Sequence, residues 1–549
     1  MIVMKKELLI VFLVVLLIAT VFPTVGTKIK TDLRDLELKS SLQKSAPLST
    51  IPNDVYFNLQ YSLHNTGQTG GIPDCDIDAP EAWDLETGNS TVIIAFVDSG
   101  IDYNHPDLAS KIWCNVDEIP DNGIDDDGNG YIDDVRGWDF YYDDNDPLDE
   151  NGHGTICAGI AAAVTNNGVG IAGVCWNCQI MPLKVDGLYN TEDIPSYWID
   201  AIYYAVNNGA DIISMSLGIE YYHQQLENAV NYAYNNGVFL TASAGNQGWS
   251  DEHYPAAYEN VVGVAATNDE DKRMENAGQW SASSNYGSWV DVAAPGEDIF
   301  STMPTYHVTF NDYGFNYDYM GELCGTSCSA PQVAGLAGLL LSKNSSLTPN
   351  ELKMIICGTV DPYNSTYDLG TGRINAHKAL LVNLTNYNQQ MYPNWNLISV
   401  PVVNGWYASD LVSNVSGCLY VVKWDSVNQS FWIYVPGFPA FDFPLDPGCG
   451  YFVEMNSSNI LSFTGLPVTG VNVSLEVGVN LIGWYHNWDT MASSILENIS
   501  GCSSVIKWDP LVQDYWLYLP GFPAFDFPVG CGMGLFVEVD QDSYWHGEG

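Results

Sequence analysis

Asp98, His153 and Ser327 are the residues whose types could act together, in an acyl transfer where a hydroxyl attacks a carbonyl. Ser327 stands in Gly325-Thr326-Ser327-Cys328-Ser329-Ala330-Pro331-Gln332-Val333-Ala334-Gly335, a glycine-led turn that hands a serine to a small-residue helix. A helix N-terminus carries partial positive charge, which suits a developing oxyanion. Pro331 is expected in the first turn of that helix, where its missing N–H falls among few intrahelical bonds. His153 stands in Asn151-Gly152-His153-Gly154-Thr155 and Asp98 in Val97-Asp98-Ser99-Gly100. Each of the three, taken alone, reads equally well as a helix or turn cap. Together they supply what a weak seryl nucleophile needs, an imidazole to take its proton and a carboxylate to fix the imidazole tautomer. A nucleophile elbow would need glycine where Ser329 stands and the order Ser, Asp, His, whereas this chain runs Asp, His, Ser.

Such groups need a rigid frame. Between Ser90 and Leu384 short apolar runs alternate with helical stretches: Val92–Val97, Ile180–Val185, Ile212–Leu217, Val238–Thr241 and Val261–Ala265 as strands, and His153–Val164, Ile194–Asn208, Tyr221–Asn236, Ser327–Ser342 and Pro349–Cys357 as helices. Continuous apolar strands separated by helices predict a three-layer α/β domain with a mostly parallel sheet, functional groups gathering at the carboxyl ends of the strands. Asp98 directly follows one such run.

Composition bounds the rest. From Pro52 onward eleven basic residues face 62 acidic ones, a balance that repels nucleic acid and anionic lipid and attracts cations or basic substrates. Residues 1–26 have Lys5 and Lys6, an apolar run from Leu8 to Phe22 and small residues after it, the layout of a secretory leader. No second apolar run suggests membrane insertion once that leader is removed. Export suits the twelve cysteines and the nine Asn-x-Ser/Thr sequons, and residues 27–51 read as a short pro-segment or linker.

The segments VDSGIDYNHPDL, ENGHGTICAGIAAAVTNNGVGIAGV, ISMSLG, TASAGNQG, DVAAPGEDIFSTMP, CGTSCSAPQVAGLAGLL and TGRINAHKAL follow one another as the landmarks of the subtilisin-like serine proteases do. The resemblance is nearest to the thermitase branch and covers a peptidase domain over 52–386. It implies a subtilisin-like fold and a secreted endopeptidase acting on proteins or peptides, with Asp98 orienting, His153 as general base and acid, Ser327 as nucleophile and Asn246 in the oxyanion hole. It further implies that Ser216, Leu217 and Gly218 pair with the extended substrate, and that Ser243, Ala244 and Gly245 line the pocket before the scissile bond, with His253 at its base. The family usually has histidine where Ile156 and Gln332 stand here, and its members carry a longer folded prodomain than 27–51 offers. These departures give a foothold to the alternative, a catalytically silent surface-binding protein on the same scaffold.

The resemblance also implies a Ca2+ site with side chains from Asp54, Asp107 and Asn167 and backbone carbonyls from Val164, Val169 and Ile171. The added loop Asp125-Asp126-Asp127-Gly128-Asn129-Gly130 follows the first half of an EF-hand, so Asp125, Asp127 and Asn129 are candidate ligands. Arg136 occupies the position of the closing glutamate, so other ligands must close that site. Asp139, Asp144 and Asp146 form a further acidic cluster. Cys175-Trp176-Asn177-Cys178 reads as a local disulfide. Cys157 resembles the buried thiol beside the histidine in some members of the family.

After residue 386 the chain repeats itself. VVKWDSVNQSFWIYVPGFPAFDFPLDPGCGYFVEM returns as VIKWDPLVQDYWLYLPGFPAFDFPVGCGMGLFVEV, dividing the remainder into two small mainly-β repeat modules over 387–468 and 469–549. Two cysteines in each copy predict the bridges Cys418–Cys449 and Cys502–Cys531. Exposed Trp and Tyr there could meet cell-surface glycans or proteins, while core packing accounts equally well for most of them.

Overall fold

Runs such as Ile93–Asp98 and Val262–Thr267 are buried along almost their whole length, as strands covered by helices on both faces must be. The computed structural model describes residues 50–185 and 196–547; the expected leader and nearly all of the 27–51 segment lie outside them. Seven strands, β1 (Ile93–Asp98), β2 (Trp138–Asp139), β3 (Gln179–Lys184), β4 (Ile212–Met215), β5 (Phe239–Ser243), β6 (Val262–Thr267) and β7 (Val292–Pro295), form one sheet of order β2-β3-β1-β4-β5-β6-β7. Every pairing in it is parallel. Beyond its edge, β8 (Ile299–Thr302) and β9 (Tyr319–Leu323) make an antiparallel ribbon.

The helices sort by their apolar faces. In α1 (His153–Ala162) and α4 (Thr326–Lys343) nearly every residue is buried, which marks helices enclosed on all sides. By contrast α2 (Ser196–Asn207) buries Trp198, Ala201, Ile202 and Ala205, and α3 (Gln224–Asn235) buries Leu226, Ala229, Val230 and Ala233, each a single stripe at helical spacing. Ile94 and Phe96 of β1 face the first pair, while Ala95 and Val97 face the second. That is the expected three-layer arrangement. α5 (Pro349–Gly358) opens on a capping box in which Thr348 and Glu351 satisfy each other's backbone N–H. No helix among the described residues is long and apolar enough to cross a membrane.

Pro331 departs from expectation. It is the sixth residue of α4, past the first turn, so its missing N–H leaves the Ser327 carbonyl without its helical partner. Ser216 Oγ donates to that carbonyl at 3.0 Å and Cys157 Sγ at 3.4 Å. The proline thereby ties α4 to α1 and to the end of β4.

The two C-terminal repeats each form a four-stranded antiparallel sheet. In the first the order is Asn394–Ser399, Gly450–Met455, Cys418–Asp425, Ser430–Tyr434; in the second it is Gly478–Gly483, Gly534–Val539, Cys502–Asp509, Asp514–Tyr518. Leu397, Val422, Trp424 and Phe452 pack against Leu481 and Phe536, so one sheet covers the other. The clasp is reciprocal: Trp424 Nε1 donates to the Val479 carbonyl and Trp508 Nε1 to the Trp395 carbonyl, both at 2.7 Å. Leu466 of the first repeat also enters the peptidase core beside Gly358.

The predicted bridges in the repeats do not form, and strand register explains why. Cys418 stands opposite Met455, at the far end of the strand that begins at Gly450, directly after Cys449. Cys502 likewise opposes Val539, at the far end of the strand that begins three residues after Cys531. Cys449 lies six positions before Met455 and Cys531 eight before Val539, and the five steps of strand between alone span about 17 Å, against the roughly 7 Å limit between Cα atoms for a disulfide. In the local loop, Cys175 and Cys178 are bonded to each other.

Candidate active site

Asp98 ends β1, His153 opens α1 and Ser327 is the second residue of α4, so three segments far apart in the chain meet at the carboxyl edge of the sheet. His153 Nδ1 lies 2.8 Å from Asp98 Oδ1, which also accepts the Ser99 N–H at 2.7 Å. Both side chains are largely shielded, at 13% and 2% exposure. Burial disfavours a charged imidazole here, but the Asp98 carboxylate, with Cys157 adding to it, more than offsets that and holds His153 well above the usual histidine range. Ser327 Oγ faces the Ser216 carbonyl at 3.4 Å. Cys157 Sγ lies 3.8 Å from His153 Nδ1, next to the Ser327 carbonyl.

Gly325 turns the chain into α4 at φ 152°, and a Cβ there would come within 3.3 Å of Asn246 Nδ2. Asn246 Oδ1 accepts from Thr326 N at 2.8 Å and Thr326 Oγ1 at 3.1 Å, which leaves the amide N–H groups of Asn246 free for a ligand. Thr326 in turn accepts the Gly245 N–H at 3.0 Å. This buried threonine was not singled out from sequence; its signal was the Gly-Thr-Ser motif itself, where attention goes to the serine. A second residue missed is Asp149, fully buried, which accepts from Ser99 Oγ, Asn151 N, Gly152 N, Thr155 N and Thr155 Oγ1 and so fixes the entry into α1. Its signal, an acid four residues before a helical histidine, resembles any loop acid.

Ser216, Leu217 and Gly218 continue from β4, and Ser243, Ala244 and Gly245 close β5. The His253 ring packs between the two segments: a Cβ on Gly218 would meet its Nε2 at 2.3 Å, and one on Gly245 its Cδ2 at 3.2 Å. Burial pushes His253 down to about 4, so it is neutral. Alongside lies a cavity of about 420 Å³ lined by Glu220, Tyr221, Tyr222, Trp249, Asp251, Glu252, His253, Tyr254 and Asn285. Where the family has its two further histidines, Ile156 packs among Ile160, Met303, Val308 and Phe310, and Gln332 Nε2 donates to the Pro295 carbonyl at 2.6 Å and the Cys328 carbonyl at 2.9 Å.

The candidate cation sites lie apart from this centre. Asp54 and Asp107 are both buried and are answered by neutral groups: Asn166 N and Asn167 N on Asp54, Asn167 Nδ2 and Ile171 N on Asp107, with the Tyr319 hydroxyl beside the latter. Burial pushes Asp107 up to about 6, and no lysine or arginine pairs with either carboxylate among the described residues. Val164, Val169 and Ile171 stand in the same loop, Val164 N donating to the Asp107 carbonyl. In the acidic loop, carboxylate oxygens of Asp125, Asp127 and Glu118 lie within 4.8 Å of one another, and Asn129 Nδ2 donates to Asp127 at 3.1 Å. Glu118 comes from before the loop. Arg136 lies over the Tyr103 ring instead. Asp139 does not join a cation cluster, because Lys184 neutralises it at 3.0 Å.

Residues 89–388 match the model of the subtilase family. The chain is similar to thermitase of Thermoactinomyces vulgaris, 40% identical over 337 residues that make up 60% of this chain and 99% of that protein. It is 39% identical over 337 residues to the thermophilic serine proteinase of Bacillus sp. strain AK1, covering 60% of this chain and 69% of that one. With the halolysin-like extracellular serine protease Nep of Natrialba magadii it shares 34% identity over 344 residues, 61% of this chain and 54% of the relative. With a family model spanning more than half of its length and relatives of this identity, the chain belongs to the subtilase family and is a serine-type endopeptidase.

Proposed function

We propose that the chain is a secreted, calcium-stabilised endopeptidase that cleaves proteins through Asp98, His153 and Ser327. The observation that carries this reading is the shielded 2.8 Å pair of His153 Nδ1 and Asp98 Oδ1 on the sheet edge that also delivers Ser327. With Nδ1–H donated to Asp98, Nε2 is left to accept the Ser327 hydroxyl proton as Oγ attacks the peptide carbonyl. The oxyanion then meets Asn246 Nδ2 and the Ser327 N–H, and His153 passes its proton to the departing amine. Water repeats the sequence on the acyl-enzyme. The acyl half of the substrate would lie along Ser216–Gly218, its side chain before the scissile bond entering between that edge and Ser243–Gly245. An extracellular setting is supported by the leader-like layout of residues 1–26 and by a relative named as extracellular.

The test is covalent labelling. A sulfonyl fluoride is expected to abolish casein hydrolysis in step with modification of one residue, and peptide mass mapping should place the adduct on Ser327. A label elsewhere, or activity surviving full labelling, would count against the assignment.

Calcium fits the donors. Asp54, Asp107 and Asn167, with carbonyls of Val164, Val169 and Ile171, would form one oxygen-only site, and Asp125, Asp127 and Asn129, closed by Glu118, a second. A bound dication would supply countercharge to buried carboxylates that have none. With free calcium a thousand-fold above its dissociation constant, each site stabilises by about 4 kcal/mol. Chelation is therefore expected to lower the melting temperature of an inhibitor-blocked sample by several degrees, restored by calcium and not by magnesium. An unchanged melting curve would remove calcium from the reading.

The repeats extend the proposal to a surface contact. Pro-Gly-Phe-Pro-Ala-Phe-Asp-Phe-Pro occurs unchanged at 436–444 and 520–528, and Trp432, Phe438 and Phe441 are exposed as are Trp516, Phe522 and Phe525. Two equivalent aromatic faces on one clasped unit suit a repeating glycan or protein partner.

A further inference from the structure

An aromatic group not yet given a role stands against His153. Phe310 presents its ring edgewise to the imidazole, centroids 6.4 Å apart, and its N–H donates to the Asn151 carbonyl at 3.0 Å. The fit depends on Gly152, at φ 114°, where a Cβ would sit 3.3 Å from Phe310 Cβ. Trp280 lies over this group, stacked on Phe315 at 5.5 Å and tilted against Phe310 at 5.7 Å. Phe310 and Phe315 are buried, yet half of Trp280 is exposed, at 51%. Trp280 sits in a tight turn closed by Ala277 and Ala282, and a Cβ on Gly278 of that turn would come within 3.2 Å of Cys324, just before the turn that delivers Ser327. That turn therefore lies near both the aromatic group beside α1 and the approach to α4.

The direction of the substrate follows from the chemistry. In the reading proposed above the acyl half lies along Ser216–Gly218, beside the His253 cavity, with Ser327 Oγ next to the Ser216 carbonyl. The leaving nitrogen must take its proton from His153, so the leaving peptide departs across the imidazole. Beyond the imidazole stands the aromatic group.

We propose that Trp280, backed by Phe310 and Phe315, is a specificity-determining subsite that selects leaving peptides whose first or second residue is large and apolar. This rests on the triad reading above. A half-covered indole offers such a side chain apolar area and ring contact.

The full-length chain, Trp280→Ala and Trp280→Phe would be compared on two substrate types sharing one acyl half, taken from a bond the protein cuts in casein. One type carries a nitroanilide leaving group and no leaving residue; the other is a set of internally quenched peptides with Phe, Leu or Gly at the first two leaving positions. The wild-type chain is expected to favour Phe and Leu over Gly by about ten-fold in kcat/KM, the size of effect an apolar subsite gives. In Trp280→Ala that preference is expected to shrink below two-fold through loss on the Phe and Leu peptides while Gly-peptide hydrolysis is unchanged, and Trp280→Phe is expected to keep most of it. A preference that persists in Trp280→Ala, that the wild type lacks, or that falls together with Gly-peptide hydrolysis would overturn the subsite. A wild-type chain that cleaves neither substrate and takes no label at Ser327 would overturn the triad reading itself.

Discussion

Ser327→Ala is expected to lower kcat for peptide hydrolysis by about a million-fold while leaving the fold intact, the scale on which loss of a seryl nucleophile from such a triad acts. Stability and activity separate cleanly at this position. The hydroxyl makes one long contact, 3.4 Å to the Ser216 carbonyl, so its removal costs little. The contacts that fix the start of α4 run through other groups: the Ser327 carbonyl to Ser216 Oγ and Cys157 Sγ, and Thr326 to Asn246 and Gly245. The variant keeps those, so Asn246 stays aimed and the cleft keeps its shape. It is expected to bind peptides with near wild-type affinity and to give the same melting temperature, while casein hydrolysis falls to the background of the preparation. Hydrolysis by Ser327→Ala within ten-fold of wild type would revive the alternative of a silent scaffold with a contaminating activity.

What the sequence disclosed follows from how local each feature is. Asp98, His153 and Ser327 announce themselves because each stands at a strand end or helix start, beside glycines that only such turns require. The layer arrangement was equally legible, since α2 and α3 write a one-sided stripe into the sequence and α4 writes an unbroken small and apolar one. Thr326, Asp149 and Glu118 stayed hidden because each also acts on residues farther along the chain, as far as 81 positions away, through contacts that exist only in the folded chain. The repeat cysteines misled for a related reason. Their spacing was visible, but the antiparallel register that puts Cys418 and Cys449 at opposite ends of one ladder was not. Pro331 lies past the first turn, and its effect depends on which carbonyl it leaves bare, here that of Ser327. Ile156 stands where the family has histidine because the segment between β8 and β9 brings Val308 and Phe310 onto α1, and a buried polar ring there would lack a partner.

Asp98→Asn is expected to cost about four orders of magnitude in kcat and, more tellingly, to move the acid limb of the pH profile. In the wild type the catalytic base must be neutral, so kcat/KM falls as pH drops through the His153 pKa. Burial pushes that value down, and the Asp98 carboxylate, with Cys157 adding to it, pushes it up by more, which places the limb above the ordinary histidine value of 6.5. The profile should therefore still be rising at neutral pH. Asparagine at position 98 removes the countercharge but leaves the burial, so the limb is expected to fall below 6.5 in the variant. Its amide also donates to Nδ1 where the carboxylate accepted, which puts the imidazole proton on Nε2 and leaves nothing there to take the serine proton. The small residual activity should thus be flat across the range where the wild type climbs. Cys157 is the other group close to Nδ1, at 3.8 Å, and it cannot stand in for the lost charge, because burial pushes its thiol up and keeps it neutral. A limb that stayed in place in Asp98→Asn, measured on the nitroanilide between pH 5 and 9, would show that the proton governing the reaction does not reside on His153.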